Sequence, residues 1–269
     1  MAEKYIRIVL LLVFVAVFCI SSYMAIGEIT VAKNEESAFS DIADSVFENR
    51  AVMRRVDAEM TSPEGSGEVS SDDEPEAPQA AWYEGLLKQN SELFGWIEIP
   101  GTNVNYPVMH TPDDPEKYLH TAFDGSYSKS GVPFLDGDCY NGCGNYIVYG
   151  HNMKNGSMFH DLLSYSKEDY FVSHQNIYFD TLDCSGDYEI IAVFRSKVFR
   201  ADETGVFRYY IFTDLTDESV FNEYIAGITA ASLYDTGKTA EFGDSLLTLS
   251  TCGKNNDDER FVVVAKKVE

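Results

Sequence analysis

Hydrophobic positions along this chain fall into three regimes. From Ile8 to Gly27 no charged residue interrupts a run dominated by Leu, Val, Ile and Phe. As a helix that run reaches about 30 Å, the thickness of a bilayer's hydrocarbon core. From Ser37 to Met60 the apolar residues Phe39, Ile42, Val46, Val52, Met53 and Val56 recur at loosely helical spacing between charges, which predicts a helix. From Trp82 onward the pattern shortens into strand-length segments. Phe94–Pro100, Val104–Met109, Val132–Asp136, Asn145–Gly150, Asn176–Thr181, Tyr188–Phe194, Ser245–Cys252 and Arg260–Ala265 are alternating or β-branched runs bounded by turn residues. Helical spacing appears at Trp82–Asn90, Met158–Leu163, Ser166–Phe171 and most clearly at Asp217–Leu233. There Asp214 or Thr216 is the expected cap, and Val220, Phe221, Tyr224, Ile225 and Ile228 share a face. Many short strands with few helices predict a mainly β domain, a closed or nearly closed barrel with inserted helices.

The flanks divide the chain further. Lys4 and Arg7 precede the apolar run and Glu28 follows it, which predicts an uncleaved single-pass helix with its N-terminus cytoplasmic and the rest extracytoplasmic. Thr61–Ala80 contains three prolines, two glycines and acidic residues without a single base, the composition of a disordered linker. The expected organisation is therefore a cytoplasmic tip and transmembrane anchor over 1–28, a stalk over 29–80 and a globular domain over 81–269. A formal net charge of −24 argues against nucleic acid as a partner. Five cysteines in 269 residues do not make a disulfide scaffold. Cys139 and Cys143 share one loop and are candidates for a disulfide outside the cell, whereas a metal site there lacks enough ligands.

The candidate chemistry sits in the last two strands. A polar loop, 253–259, joins Ser245–Cys252 to Arg260–Ala265, so an antiparallel hairpin places Cys252 and Arg260 side by side at one end of the ladder. A cysteine nucleophile needs a proton partner and donors for an oxyanion. His151, directly after the strand Tyr146–Tyr149 and a glycine, is the leading histidine, with His160 second. By alternation, Thr248 and Ser250 share the face of Cys252. The loop acids Asp257, Asp258 and Glu259 read as a solvated surface.

Three motifs in order, Phe94-Gly-Trp-Ile-Glu-Ile-Pro-Gly-Thr-Asn-Val-Asn-Tyr-Pro-Val108, Tyr149-Gly-His-Asn-Met153 with its extension to Phe159, and Thr248-Leu-Ser-Thr-Cys252 with Arg260, resemble the sortases of class B. Lys117-Tyr-Leu119 and the helix ahead of the cysteine strand add to the resemblance, which covers nearly all of 82–269. It implies a sortase-type closed β-barrel of about eight strands with N-terminal and inserted helices, preceded by one transmembrane helix. It also implies a membrane-anchored cysteine transpeptidase without cofactor or metal. Cys252 would attack a C-terminal sorting motif of a secreted surface protein after Thr, His151 would serve as acid and base, and Arg260 would hold the substrate backbone and oxyanion. Ser250, Thr251, Leu119, Tyr118 and Asn152 would contact substrate, and an amine of peptidoglycan or lipid II would accept the acyl group. The bilayer is a partner through the N-terminal helix. Asp114-Pro115 departs from the Asp-Asn common in relatives at that point. Two alternatives stand beside this reading: a sortase that polymerises pilins through a pilin lysine, and a non-catalytic extracellular scaffold on the same barrel.

Overall fold

In the computed structural model, described for residues 2–60, 80–253 and 258–268, the strand-length runs do close into a barrel. Its strands are β1 (Leu93–Glu98), β2 (Asn105–Met109), β3 (Phe134–Leu135), β4 (Asn145–Tyr149), β5 (Asn176–Thr181), β6 (Asp187–Lys197), β7 (Leu246–Cys252) and β8 (Glu259–Val268). Around the barrel they run β1-β2-β3-β4-β7-β8-β6-β5. Closure pairs the two ends of the sheet with each other and so removes most of the free edge that is the hazard of an isolated sheet. Pro107 is tolerated in β2 opposite Trp96 because β2 meets β3 only at Met109↔Phe134, so most of its other side carries no ladder.

β7 is the middle of the sheet that matters for function. It pairs in parallel with β4 from Asn145↔Leu246 to Tyr149↔Ser250, and antiparallel with β8 from Leu246↔Lys266 to Cys252↔Arg260. Six of its residues are buried and only Cys252, at the end, is partly open. The helix α4 (Glu218–Ala231) covers part of the barrel through Phe221, Tyr224 and Ile228, packed with Leu246, Phe194, Val262 and Val264. Its cap is Asp217, whose carboxylate accepts from the Ser219 and Val220 amides. The expected caps lie too far upstream: Asp214 instead binds Thr216 and closes the preceding turn. Under α4, Thr248 donates to Asn145 Oδ1 at 2.9 Å and its hydroxyl lies 2.6 Å from that of Tyr224, so the polar atoms on this buried face satisfy one another.

Two shorter helices, α2 (Ala80–Gln89) and α3 (Glu168–Ser173), match their sequence signals, whereas Met158–Leu163 becomes part of a 3₁₀ segment, Phe159–Ser166. Another 3₁₀ turn, Tyr209–Ile211, lies in a stretch the hydrophobic pattern did not mark. Cys139 and Cys143 are buried free thiols whose Sγ atoms both reach the Asn145 carbonyl, at 3.5 and 3.3 Å.

By contact the molecule divides into two units, 1–45 and 46–269. The N-terminal residues belong to one helix, α1 (Ala2–Met60), rather than an anchor followed by a separate stalk helix. No proline occurs before Pro63 and Glu28–Glu36 is rich in good helix formers, so nothing stops the helix after Gly27. Its Lys4–Met24 stretch, none of it buried, has a mean hydropathy of 2.5 and is long and apolar enough to cross a membrane. The predicted disordered linker, apart from Ala80, lies outside the described residues, as does Asp257.

Candidate active site

Where β7 and β8 end, Cys252 and Arg260 are directly paired across the ladder, as the hairpin predicted. The ladder continues one step further, Gly253 donating to the Glu259 carbonyl at 2.7 Å, so both side chains are held by main-chain hydrogen bonds on either side. Arg260 Nη1 donates to the Glu259 carbonyl, and the Glu259 carboxylate pairs with Arg195. The second site residue arrives by the parallel pairing of β4 with β7. Gly150 donates to the Ser250 carbonyl at 3.1 Å, which brings the chain to His151 beside the end of β7. A Cβ on Gly150 would lie 2.7 Å from the Phe159 ring, so only glycine lets the strand pass this close.

Cys252, His151 and Arg260 line one cleft of about 420 Å³, together with Leu119, Ser250 and Thr251. The side chain of Ser250 lies 2.7 Å from the Tyr209 hydroxyl, and Thr251 donates to the Gly150 carbonyl at 2.7 Å. Two further residues singled out in the sequence are not brought to the cleft wall. Tyr118 is 1% exposed, with its hydroxyl on Glu92 and Asn90. Asn152 turns away to a bridging position: its amide donates to the Cys252 carbonyl at 3.2 Å, and its oxygen takes a hydrogen bond from His160 Nδ1 at 2.7 Å. His160, second among the histidines by sequence, thus reaches the end of β7 only through Asn152.

Other parts of the wall escaped sequence reasoning. Tyr209 and Tyr210 come from the unmarked 3₁₀ turn, Val198 from just beyond β6, and Asp136 and Asp138 from the loop after β3. Pro115, noted as a departure from relatives, lines the cleft with Glu116. Asp136 accepts from the Tyr149 hydroxyl at 2.8 Å, and burial above all raises the Tyr149 phenol well beyond its ordinary range. Burial likewise pushes Tyr209 up to about 12. These phenols are therefore neutral hydrogen-bonding groups at physiological pH.

His151 has one firm anchor. Its Nε2 lies 2.9 Å from the Leu119 carbonyl oxygen, which can only accept, so Nε2 carries the hydrogen. Burial lowers its proton affinity; the Leu119 carbonyl works the other way, and nearby His120 adds to the lowering. A neutral ring so oriented leaves Nδ1 to exchange protons. Among the described residues, no cluster of three or more His, Cys, Asp or Glu has the arrangement of a metal site.

The barrel order and the thiol, imidazole and guanidinium on one cleft define a type of molecule found among known proteins. The sequence profile of the sortase domain matches residues 97–268. Sortase B of Listeria monocytogenes is 32% identical over 190 residues, 68% of this chain and 72% of that protein. Sortase B of Staphylococcus aureus is 30% identical over 191 residues, 70% of this chain and 75% of that protein. Among solved structures, a Staphylococcus aureus sortase B–substrate complex superposes with a TM-score of 0.70 at 21% identity, over 89% of this chain and 99% of that one, a likeness of fold. The chain belongs to the sortase family, within its class B. It is a sortase B-type cysteine transpeptidase of the kind that serves cell-wall anchoring, which sets aside the non-catalytic scaffold.

Proposed function

We propose that this enzyme cleaves the C-terminal sorting motif of secreted surface proteins after a threonine and transfers them to an amine of peptidoglycan or lipid II. The observation that carries the reading is the register Cys252↔Arg260, with His151 on the same cleft. Cys252 passes its thiol proton to His151 Nδ1 as Sγ attacks the threonine carbonyl carbon, forming an S–C bond and a tetrahedral oxyanion. Arg260, beside it in the ladder, donates to that oxygen; a preorganised donor of this kind is worth about 10²–10³ in rate. The C–N bond to the following residue then breaks, and His151 gives the departing amine its proton. The incoming amine attacks the thioester, His151 takes the proton released, and Cys252 leaves as thiolate while the new amide forms. Atoms and charge balance, and no redox partner enters.

Leu119, Ser250 and Thr251, on the cleft wall, are proposed to contact the motif. Asn152 and Tyr118, placed as described, are proposed to act indirectly, Asn152 by fixing the carbonyl end of Cys252 and Tyr118 by anchoring the segment that carries Leu119. A Staphylococcus aureus sortase B that shares this fold has been solved as a substrate complex, in keeping with a substrate-binding role for the fold. The apolar Lys4–Met24 stretch of α1 supports a single-pass anchor with a cytoplasmic N-terminus and the catalytic domain outside. A fluorogenic peptide carrying Asn-Pro-x-Thr or Ser-Pro-x-Thr tests the assignment: His151→Ala should reduce turnover to near background, and full turnover in that variant would refute its role.

A further inference from the structure

The segment that supplies Leu119 continues into a short hairpin-like turn with no part in the mechanism above. Thr121 and Tyr127 form an antiparallel bridge, Ala122 donates to the Ser126 carbonyl at 2.8 Å, and Ser128 donates to the His120 carbonyl at 3.1 Å. Asp124 ties the tip by accepting from the Ser126 amide and hydroxyl. This frame fixes two rings. His120 stacks on Tyr127 with centroids 6.4 Å apart and planes at 28°, and on His151 with centroids 5.5 Å apart and planes at 26°. Tyr127, His120 and His151 therefore make one column. Two consecutive residues grip His151: Leu119 through its carbonyl on Nε2, and His120 through the ring face.

Both His120 and Tyr127 are exposed, and Tyr127 is 80% so. An aromatic pair standing in solvent buries little area for stability, so what it accomplishes is local to the ring it covers. The contact has two physical consequences. Stacking limits rotation of the His151 ring, which already has its edge fixed. It also places a second titratable ring where like charges oppose each other, since a neighbouring cation within about 4–6 Å disfavours the charged form. The other titratable and charged groups that line the cleft with His151 come from several elements: Glu116 just before the 3₁₀ turn Lys117–Leu119, Asp136 and Asp138 from the loop after β3, Tyr149 on β4, Tyr209 and Tyr210 from the turn ahead of α4, Cys252 on β7 and Arg260 on β8. Substituting His120 leaves all of these in place, so differences among His120 variants isolate its contribution.

We propose that His120 is a positioning residue of this transpeptidase: it braces the His151 ring by stacking and sets the pH range over which that ring exchanges its proton, with Tyr127 holding His120 in place. The inference rests on His151 being the acid and base. The test uses the full chain in detergent, ¹³C-labelled at histidine, with His151 assigned by the resonance lost in His151→Gln, alongside pH profiles of peptide cleavage. His120→Ala should move the His151 titration to higher pH, carry the corresponding limb of the kcat/KM profile with it, and lower kcat roughly 10-fold to 100-fold with little change in KM. His120→Phe keeps the ring and loses the charge, so it should recover most of kcat while the His151 titration stays above that of the unaltered protein. If neither variant moves the His151 titration, the inference is overturned, whether activity is kept or lost. Full activity in His151→Gln would instead overturn the acid–base reading beneath it, a different result from an inactive His151→Gln with unchanged His120 variants.

Discussion

Cys252 and Arg260 share one rung of a ladder, and the proposed chemistry turns on that rung. Cys252→Ala should abolish cleavage of the sorting-motif peptide with the fold intact, read by turnover and by circular dichroism. Arg260→Lys keeps the charge and loses the planar fork, so kcat should fall by about 10²–10³ while KM moves less. Gly150→Ala is a third expected loss: its Cβ meets the Phe159 ring at 2.7 Å and must displace His151, which follows directly. Cys252, His151 and Arg260 could be singled out in the sequence because each stands at the end of, or one step beyond, a strong local strand signal. Tyr118 was not, because the direction of its ring is set by Asn90 and Glu92, some 26 to 28 positions away in sequence. The same holds for Tyr209, Val198 and Asp136, which reach the cleft only because the barrel closes.

At the level of elements, β7 depends on a hydrogen-bonded set under α4. Thr248 is fully buried and links Asn145 on β4 to Tyr224 on α4. Thr248→Val preserves shape and strands those two partners, which should cost about 1–3 kcal/mol in denaturant unfolding, the range for leaving a buried polar group without its hydrogen bond. A cost near zero would mean the three groups re-pair around the change. The strands were readable from their alternation, and seven of the eight were foreseen as runs of three residues or more that survive in the structure; β3 shrinks to Phe134–Leu135 because Met109 gives it a single parallel partner. Helix type was less readable. Phe159–Ser166 adopts 3₁₀ geometry, with Phe159 donating to the His151 carbonyl at 2.9 Å and Tyr165 donating to the His174 carbonyl at 2.8 Å, tertiary bonds that a local period does not reveal.

Across the whole molecule, acid should weaken the fold before its carboxylates are protonated. His110 and His151 both have their proton affinity lowered from an ordinary value of 6.5, burial being the largest cause in each. The folded state therefore binds fewer protons than the unfolded chain below that value. The stability linked to these rings is complete above it and declines as pH falls through it. His110 adds a buried Nε2 that has no hydrogen-bond partner among the described residues, and an edge contact with Phe94 at 5.5 Å between centroids. Urea unfolding should show stability falling between pH 7 and pH 5, and His110→Phe should flatten that decline; an unchanged slope would exclude His110 as a source. The proposed anchor makes a separate prediction. Deleting residues 1–28 should move the protein from the membrane pellet to the supernatant with peptide cleavage retained, whereas a deletion product that still sediments with membranes would place the membrane contact elsewhere.

The central claim is that the enzyme works through an acyl group carried on Cys252. Intact-protein mass spectrometry during turnover of an Asn-Pro-x-Thr peptide reads that intermediate directly. The expected result is a protein adduct equal to the peptide up to and including its threonine, mapped to Cys252 by digestion and discharged when a peptidoglycan amine is added. Absence of the adduct from a turning-over wild-type enzyme, or the same adduct on Cys252→Ala, would contradict the account.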